Sequence, residues 1–157
     1  MPSVDYAKHG ATIMKEYLVK TLGYNEKRII YADDENAGKN DFNIMLQKLS
    51  NMVKAGKSDV FVYYNGHGAP DTKTNDAFFV PYDCDPEYAN VSGYPVTEFY
   101  SQIGKLPARS ITVVLDACFS GLTPKGLLFK GVSPALLKVK NPIAALHNGI
   151  VFSSSSE

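Results

Sequence analysis

The sequence predicts a three-layer α/β sandwich, a mostly parallel sheet with helices on both faces. Two observations carry this. Short runs of continuous β-branched and aromatic residues occur at 60–64 and 111–115, without the polar alternation of a strand that has one wet face. Helical-period stretches lie between such runs, the order that builds parallel sheets.

Taken in order, residues 5 to 22 read as a helix, with Ala7, Ala11, Met14, Leu18 and Leu22 at three- and four-residue intervals and Gly23 as its stop. Arg28-Ile29-Ile30-Tyr31-Ala32 reads as a short strand, followed by a polar loop from Asp33 to Lys39. Asn40 or Asp41 can cap a second helix, whose buried stripe is Phe42, Met45, Leu46, Leu49 and Val53 and which Gly56 closes. Val60 to Tyr64 is a strand expected to be covered on both faces, and residues 78 to 81 a brief extended piece. Val96 to Ile103 suggests a third helix, Ile111 to Leu115 a second fully buried strand, and Gly149 to Phe152 the start of another. Residues 122 to 142 carry Gly, Pro and Lys without a period and read as a long surface loop, with one helical turn around Pro134 to Lys138.

Composition narrows the function. The 157 residues suit one domain, and 45% hydrophobic with 20% charged residues is ordinary for a globular chain. Sixteen basic residues balance sixteen acidic ones, so no global field favours nucleic acid or an anionic membrane surface. No apolar run approaches the roughly 20 residues of a membrane span. The N-terminus lacks the layout of a secretory signal. Cys84 and Cys118 sit in unrelated contexts, so no disulfide framework is expected and a reducing, cytoplasmic setting is the default. Both ends look abrupt: no strand precedes the first helix, and the chain stops as its last strand finishes. The expectation is a fragment, or one chain of a processed protein, with a second chain or C-terminal subunit completing the fold.

Chemistry concentrates in two motifs, Asn65-Gly66-His67-Gly68 and Asp116-Ala117-Cys118-Phe119-Ser120-Gly121, each following an apolar strand. In an open α/β sheet, ligand sites form beyond the carboxyl ends of the strands. There the motifs supply one imidazole and one thiol, the minimum for thiol-based acyl transfer. A lone cysteine in an apolar run is more often core; the polar, glycine-rich sequel of Cys118 argues for a nucleophile on a tight turn. Glycines on both sides of His67 leave the backbone free for unusual angles and let a substrate approach closely. His9, on a helix, and His147, before a strand, have blander explanations.

The pair of motifs resembles the caspase-like cysteine peptidases, most closely metacaspases and bacterial caspase homologues, with the histidine roughly 50 residues before the cysteine. The likeness covers residues 5 to 157. It implies that His67 and Cys118 work as a dyad with no third member, and that the backbone N–H groups of Gly68 and Cys118 receive the oxyanion.

Asp116 bears on specificity. Residues i and i+2 of a strand face one side, so its carboxylate projects toward the face that presents Cys118. A charge there needs a partner or water, and an Arg or Lys side chain of a substrate can supply it, Arg in a bidentate manner. A cap for a neighbouring helix or an internal ion pair is the competing explanation. Animal caspases have Gln at this place and Arg after the cysteine, and they select Asp. Here Asp116 and Phe119 stand instead, the metacaspase pattern, which implies cleavage of peptides and proteins after Arg or Lys. By the same resemblance Asn65 and one serine of the 153–156 run, Ser153 or Ser154, line the pocket.

Metacaspases often need calcium, and the loop between the motifs holds Asp76, Asp83, Asp85 and Glu87. Their spacing fits no self-contained ligand loop, so a solvated acidic loop is expected, no cofactor is required by the chemistry, and calcium stays open. Cys84 in that loop is read as incidental and Asp33-Asp34-Glu35 as a solvated turn. Lys125, Lys130, Lys138 and Lys140 in the loop after Cys118 are candidate self-processing sites, or simply a basic surface loop. Two rival functions remain: a catalytically silent interaction module on the same fold, and a phosphate or nucleotide binder. The second lacks any glycine-rich phosphate fingerprint.

Overall fold

A computed structural model of the chain describes residues 7–71, 76–85, 88–119, 122–123, 126–127 and 146–154. The main sheet has five strands: β1 (Asp59–Asp71), β2 (Asp76–Phe79), β3 (Tyr94–Pro95), β4 (Ser110–Cys118) and, last in the chain, β7 (Gly149–Ser153). Their spatial order is β3-β2-β1-β4-β7. β1, β4 and β7 run parallel, while β2 and β3 pair antiparallel. Two further strands, β5 (Leu122–Thr123) and β6 (Gly126–Leu127), pair within the stretch expected to be irregular loop. The expected turn at 134–138 lies outside the described residues.

Strand alternation gives the sheet two unlike faces. Val60, Val62 and Tyr64 of β1 share one face with Ile111, Val113 and Leu115 of β4, because the strands register residue for residue from Asp59 opposite Ser110 to His67 opposite Cys118. This is the core face. Helices α2 (Lys39–Met52) and α4 (Val96–Gly104) cover it, and a short α3 (Ala89–Ser92) precedes β3. Phe79 of β2 is 1% exposed at the centre of an aromatic cluster: its ring centroid lies 4.5 Å from Tyr64, 5.2 Å from Phe99, 5.9 Å from Phe119 and 6.1 Å from Phe42. The second face carries Phe61, Tyr63 and Asn65 and is covered by α1 (Ala7–Lys20), with Tyr24 meeting Phe61 edge-on at 6.4 Å.

Most expected elements form, with shifted ends. α1 stops at Lys20, before Leu22, and Gly23 takes a φ of 73° just beyond it. α2 starts at Lys39 on Gly38; Asp41 acts one turn in, accepting the Gly38 N–H at 2.9 Å. α4 matches the third expected helix. Two expectations fail. Residues 28–32 form no strand: a 3₁₀ turn spans Glu26–Arg28, and Ile30, Tyr31 and Ala32 make no backbone hydrogen bond with a described residue. A cavity of about 360 Å³ separates this segment from β1, lined by Ala11 and Met14 of α1, Met45 and Leu46 of α2, Ile30 and Phe61. Local propensity without a ladder partner does not make a strand. The same gap explains why Phe61 to Tyr64 are half-buried where full burial was expected. Across the sheet, Ile150 and Phe152 of β7 are exposed on the α1 face.

Phe79 is the keystone of the core face. Phe79→Ala should cost about 3–5 kcal/mol, read as a lowered urea midpoint. A loss below about 1 kcal/mol would show that the cluster does not depend on it.

Candidate active site

β1 and β4 end the site's two arms. The sequence places His67 in a loop and Cys118 on a turn, but both are strand residues, and they stand opposite each other in register. β1 outlasts its apolar run because it gains a second partner: from Gly68 onward it pairs with β2 on its other edge. The turn begins only at Phe119, and Ser120 and Gly121 lie outside the described residues.

The backbone of His67 is held twice. Its carbonyl accepts the Tyr64 hydroxyl at 2.7 Å and the Val80 N–H at 3.0 Å. To reach it, the Tyr64 side chain crosses Gly66, where a β-carbon would stand 2.7 Å from the hydroxyl oxygen. At Gly68 a β-carbon would stand 2.4 Å from the Phe119 ring. Neither glycine has a positive φ. Their role is therefore close approach, and the unusual backbone angles expected from the sequence are not used. Burial drives the Tyr64 phenol well above its usual pKa, so it stays a neutral donor. Tyr64 and Phe119 shape the site, although the sequence analysis used Tyr64 only as the end of an apolar strand and Phe119 only as the residue after the cysteine; the signal was available, since each is an aromatic residue within three positions of a motif histidine or cysteine.

Asp116 stands opposite Asn65 in register, so the two side chains share the α1 face, two residues before the strand ends. The Asp116 carboxylate is exposed and accepts the Ser154 hydroxyl at 2.9 Å. Ser154 is itself fixed by its N–H on the Leu115 carbonyl at 2.9 Å. Among the described residues no cation pairs with Asp116 and no helix is capped by it. Of the two serines weighed for the pocket, Ser154 reaches Asp116; Ser153 is the exposed last residue of β7, paired with Leu115. Tyr63 joins this group: burial first, then the Asp116 charge, push its phenol above the usual value, and a hydrogen bond with Asn65 opposes them.

The other candidates lie elsewhere. His9 is exposed on α1 and His147 sits in an exposed turn. Asp83 accepts the Lys39 N–H at 2.8 Å at the start of α2, and Asp76 takes the Thr97 hydroxyl at 3.4 Å, so these two are engaged with the fold. Glu87 lies outside the described residues, and among the described residues no group of three or more His, Cys, Asp or Glu could hold a metal ion. Cys84 is buried with its sulfur 3.2 Å from the Ser92 hydroxyl, and burial raises its thiol pKa. Asp33 pairs with Lys8 at 2.9 Å, beside a 3₁₀ turn at Asp34–Asn36. Lys125, Lys130, Lys138 and Lys140 lie outside the described residues. No helix among the described residues is long and apolar enough to cross a membrane.

A five-stranded mixed sheet between helices, with a histidine and a cysteine as the last pair where β1 and β4 run together, is the layout of a caspase-like α/β sandwich. The sequence model of the caspase domain, peptidase family C14, matches residues 3–157. The chain belongs to that family, whose function is of the cysteine-peptidase type. No curated protein matches it.

The Gly68–Phe119 contact ties the two arms together. Gly68→Ala should displace the Phe119 ring, costing about 1–3 kcal/mol of stability and slowing thiol alkylation or peptide turnover. Unchanged melting and unchanged turnover would show that this contact is not coupled to the site.

Proposed function

We propose that this protein is an endopeptidase that cleaves after Arg or Lys through a Cys118–His67 dyad. The carrying observation is the Asp116 carboxylate: exposed, braced by Ser154, beside Asn65, and without a cationic partner among the described residues. An anion kept at a strand end next to an uncharged amide suits a cationic side chain of a substrate, and Arg most of all because its fork can engage two acceptors.

In this reading His67 takes the Cys118 proton and the thiolate attacks the scissile carbonyl. The backbone N–H groups of Gly68 and Cys118 receive the oxyanion, each such donor lowering the barrier by about 3–4 kcal/mol. His67 then returns the proton to the leaving amine, and water releases the acyl group from sulfur. No cofactor enters these steps. A thiol nucleophile persists in a reducing setting, so we place the protein in the cytoplasm, acting on peptides and proteins with a basic P1 residue.

P1 profiling with a peptide library tests the assignment. Wild type should turn over Arg and Lys substrates. Cys118→Ala should abolish turnover, and Asp116→Ala should erase the basic preference while leaving the thiol alkylatable. A basic preference that survives in Asp116→Ala removes Asp116 from the pocket, and cleavage that survives in Cys118→Ala removes the dyad.

An enzyme of this specificity would also meet its own lysines between the two strands β4 and β7. Purified protein should yield fragments ending at Lys125, Lys130, Lys138 or Lys140, by mass spectrometry, and Cys118→Ala should yield none. The same fragments from the alanine variant would mean a contaminating protease.

A further inference from the structure

We propose that Gly10 and Tyr63 are positioning residues for the P1 site, holding the Asn65 amide so that its carbonyl oxygen stands ready beside the Asp116 carboxylate. This rests on the reading of that site as a receptor for a basic side chain.

Gly10 poses a puzzle that the sequence does not answer. It is the fourth residue of α1, a helical position where glycine costs about 1 kcal/mol relative to alanine, and it neither caps the helix nor has a positive φ. The structure supplies the reason. A β-carbon on Gly10 would stand 2.7 Å from Asn65 Nδ2, 3.3 Å from Tyr63 Oη and 3.9 Å from Asn65 Cγ. Thus α1 rests directly on the two polar side chains that precede His67 on this face of β1, and any larger residue would displace the amide.

The amide's two ends then have different fates. Asn65 Nδ2 lies against Gly10, which also faces the Tyr63 hydroxyl, and hydrogen bonding from Asn65 draws the Tyr63 phenol's pKa down against the effect of burial. A primary amide whose nitrogen is held in this way leaves its carbonyl oxygen for other partners. In register with Asn65 is Asp116, whose carboxylate already has one oxygen on Ser154. The pair presents a neutral acceptor next to a charged one. A guanidinium, with five N–H donors in a plane, can use both, whereas an ammonium is a single compact donor centre. The Tyr63–Gly10 seat therefore contributes to binding of Arg more than of Lys, and it does so without touching the substrate.

The test uses the full chain carrying Cys118→Ala, so that probes bind without turnover. Titration with acetyl-arginine amide and acetyl-lysine amide, followed by NMR of the Asn65 side-chain amide, should give saturable shifts with tighter binding of the arginine probe. Tyr63→Phe removes the acceptor that holds Nδ2, and Gly10→Ala forces the amide aside. Each should weaken arginine binding about tenfold and lysine binding less. In the active enzyme the same variants should raise KM for Arg substrates with little change in kcat. Gly10→Ala should melt no lower than wild type, because alanine favours the helix, which separates repositioning from unfolding. Arginine binding unchanged in Tyr63→Phe overturns the proposal, and so does an Asn65 resonance that ignores the arginine probe in the parent protein. Neither result bears on the endopeptidase reading, which falls if wild type fails to cleave after Arg or Lys or if turnover survives in Cys118→Ala.

Discussion

Everything at the site depends on the register between β1 and β4. Nine consecutive residue pairs, from Asp59 opposite Ser110 to His67 opposite Cys118, fix which side chains become neighbours. Because side chains alternate, a slip of one residue would send Asn65 and Asp116 to opposite faces and move Val113 out of the core. The register is held at both ends by contacts that a slipped sheet could not make. At the start, Arg109 and Ser110 both donate to Asp59, at 2.9 Å from the Arg109 Nε and 2.7 Å from the hydroxyl. The Arg109 hydrogen bond, with Ser110 assisting, holds the exposed Asp59 carboxyl down at about 2. At the finish, Phe119 lies over Gly68 and links β4 back to β1.

Between these pins the aromatic cluster supplies the driving force. Burying rings of this size dominates the energetics of a small core, and the cluster reaches from α2 through β2 to Phe119. The residue that follows the cysteine and the residue three before the histidine are thereby packed against one another's neighbours through Phe79. Placement of the site is a consequence of core packing.

This dependence explains how much was legible in the sequence. Apolar runs show themselves, so the cores of β1, β4 and β7 and the stripes of α2 and α4 could be located, and the two motifs at strand ends pointed to the family before any geometry. Strand ends were another matter. β1 runs seven residues past Tyr64 because β2 returns to pair with it, a tertiary event with no local signal in Gly66 to Asp71. The segment at 28–32 shows the converse: Ile29, Ile30 and Tyr31 have strand propensity, yet propensity is realised only beside a partner edge, and here a cavity intervenes. The glycines around His67 were recognised as places of backbone freedom and of close approach by a substrate, whereas the approach observed is that of the protein's own rings. Flexibility is what glycine suggests from sequence alone, but this approach requires knowing that Tyr64 and Phe119 arrive at Gly66 and Gly68.

The unequal faces of the sheet reconcile access with rigidity. Asn65 and Asp116 lie on the α1 face, where Asp116 is exposed and the neighbouring strand β7 leaves Ile150 and Phe152 in solvent. Such a face admits a ligand, and its contacts from Ser154 and Gly10 orient the polar side chains without fixing the strands beneath them. The opposite face does so through the backbone. Asp116 is flanked by Leu115, 5% exposed, and Ala117, 6% exposed, while Asn65 follows Tyr64, whose hydroxyl grips the His67 carbonyl. Each polar residue is thus one pleat from an immobile apolar one. Local opening is least where burial is greatest, so the open face inherits order from the closed face, and polar groups can face water without the floppiness that exposure usually brings.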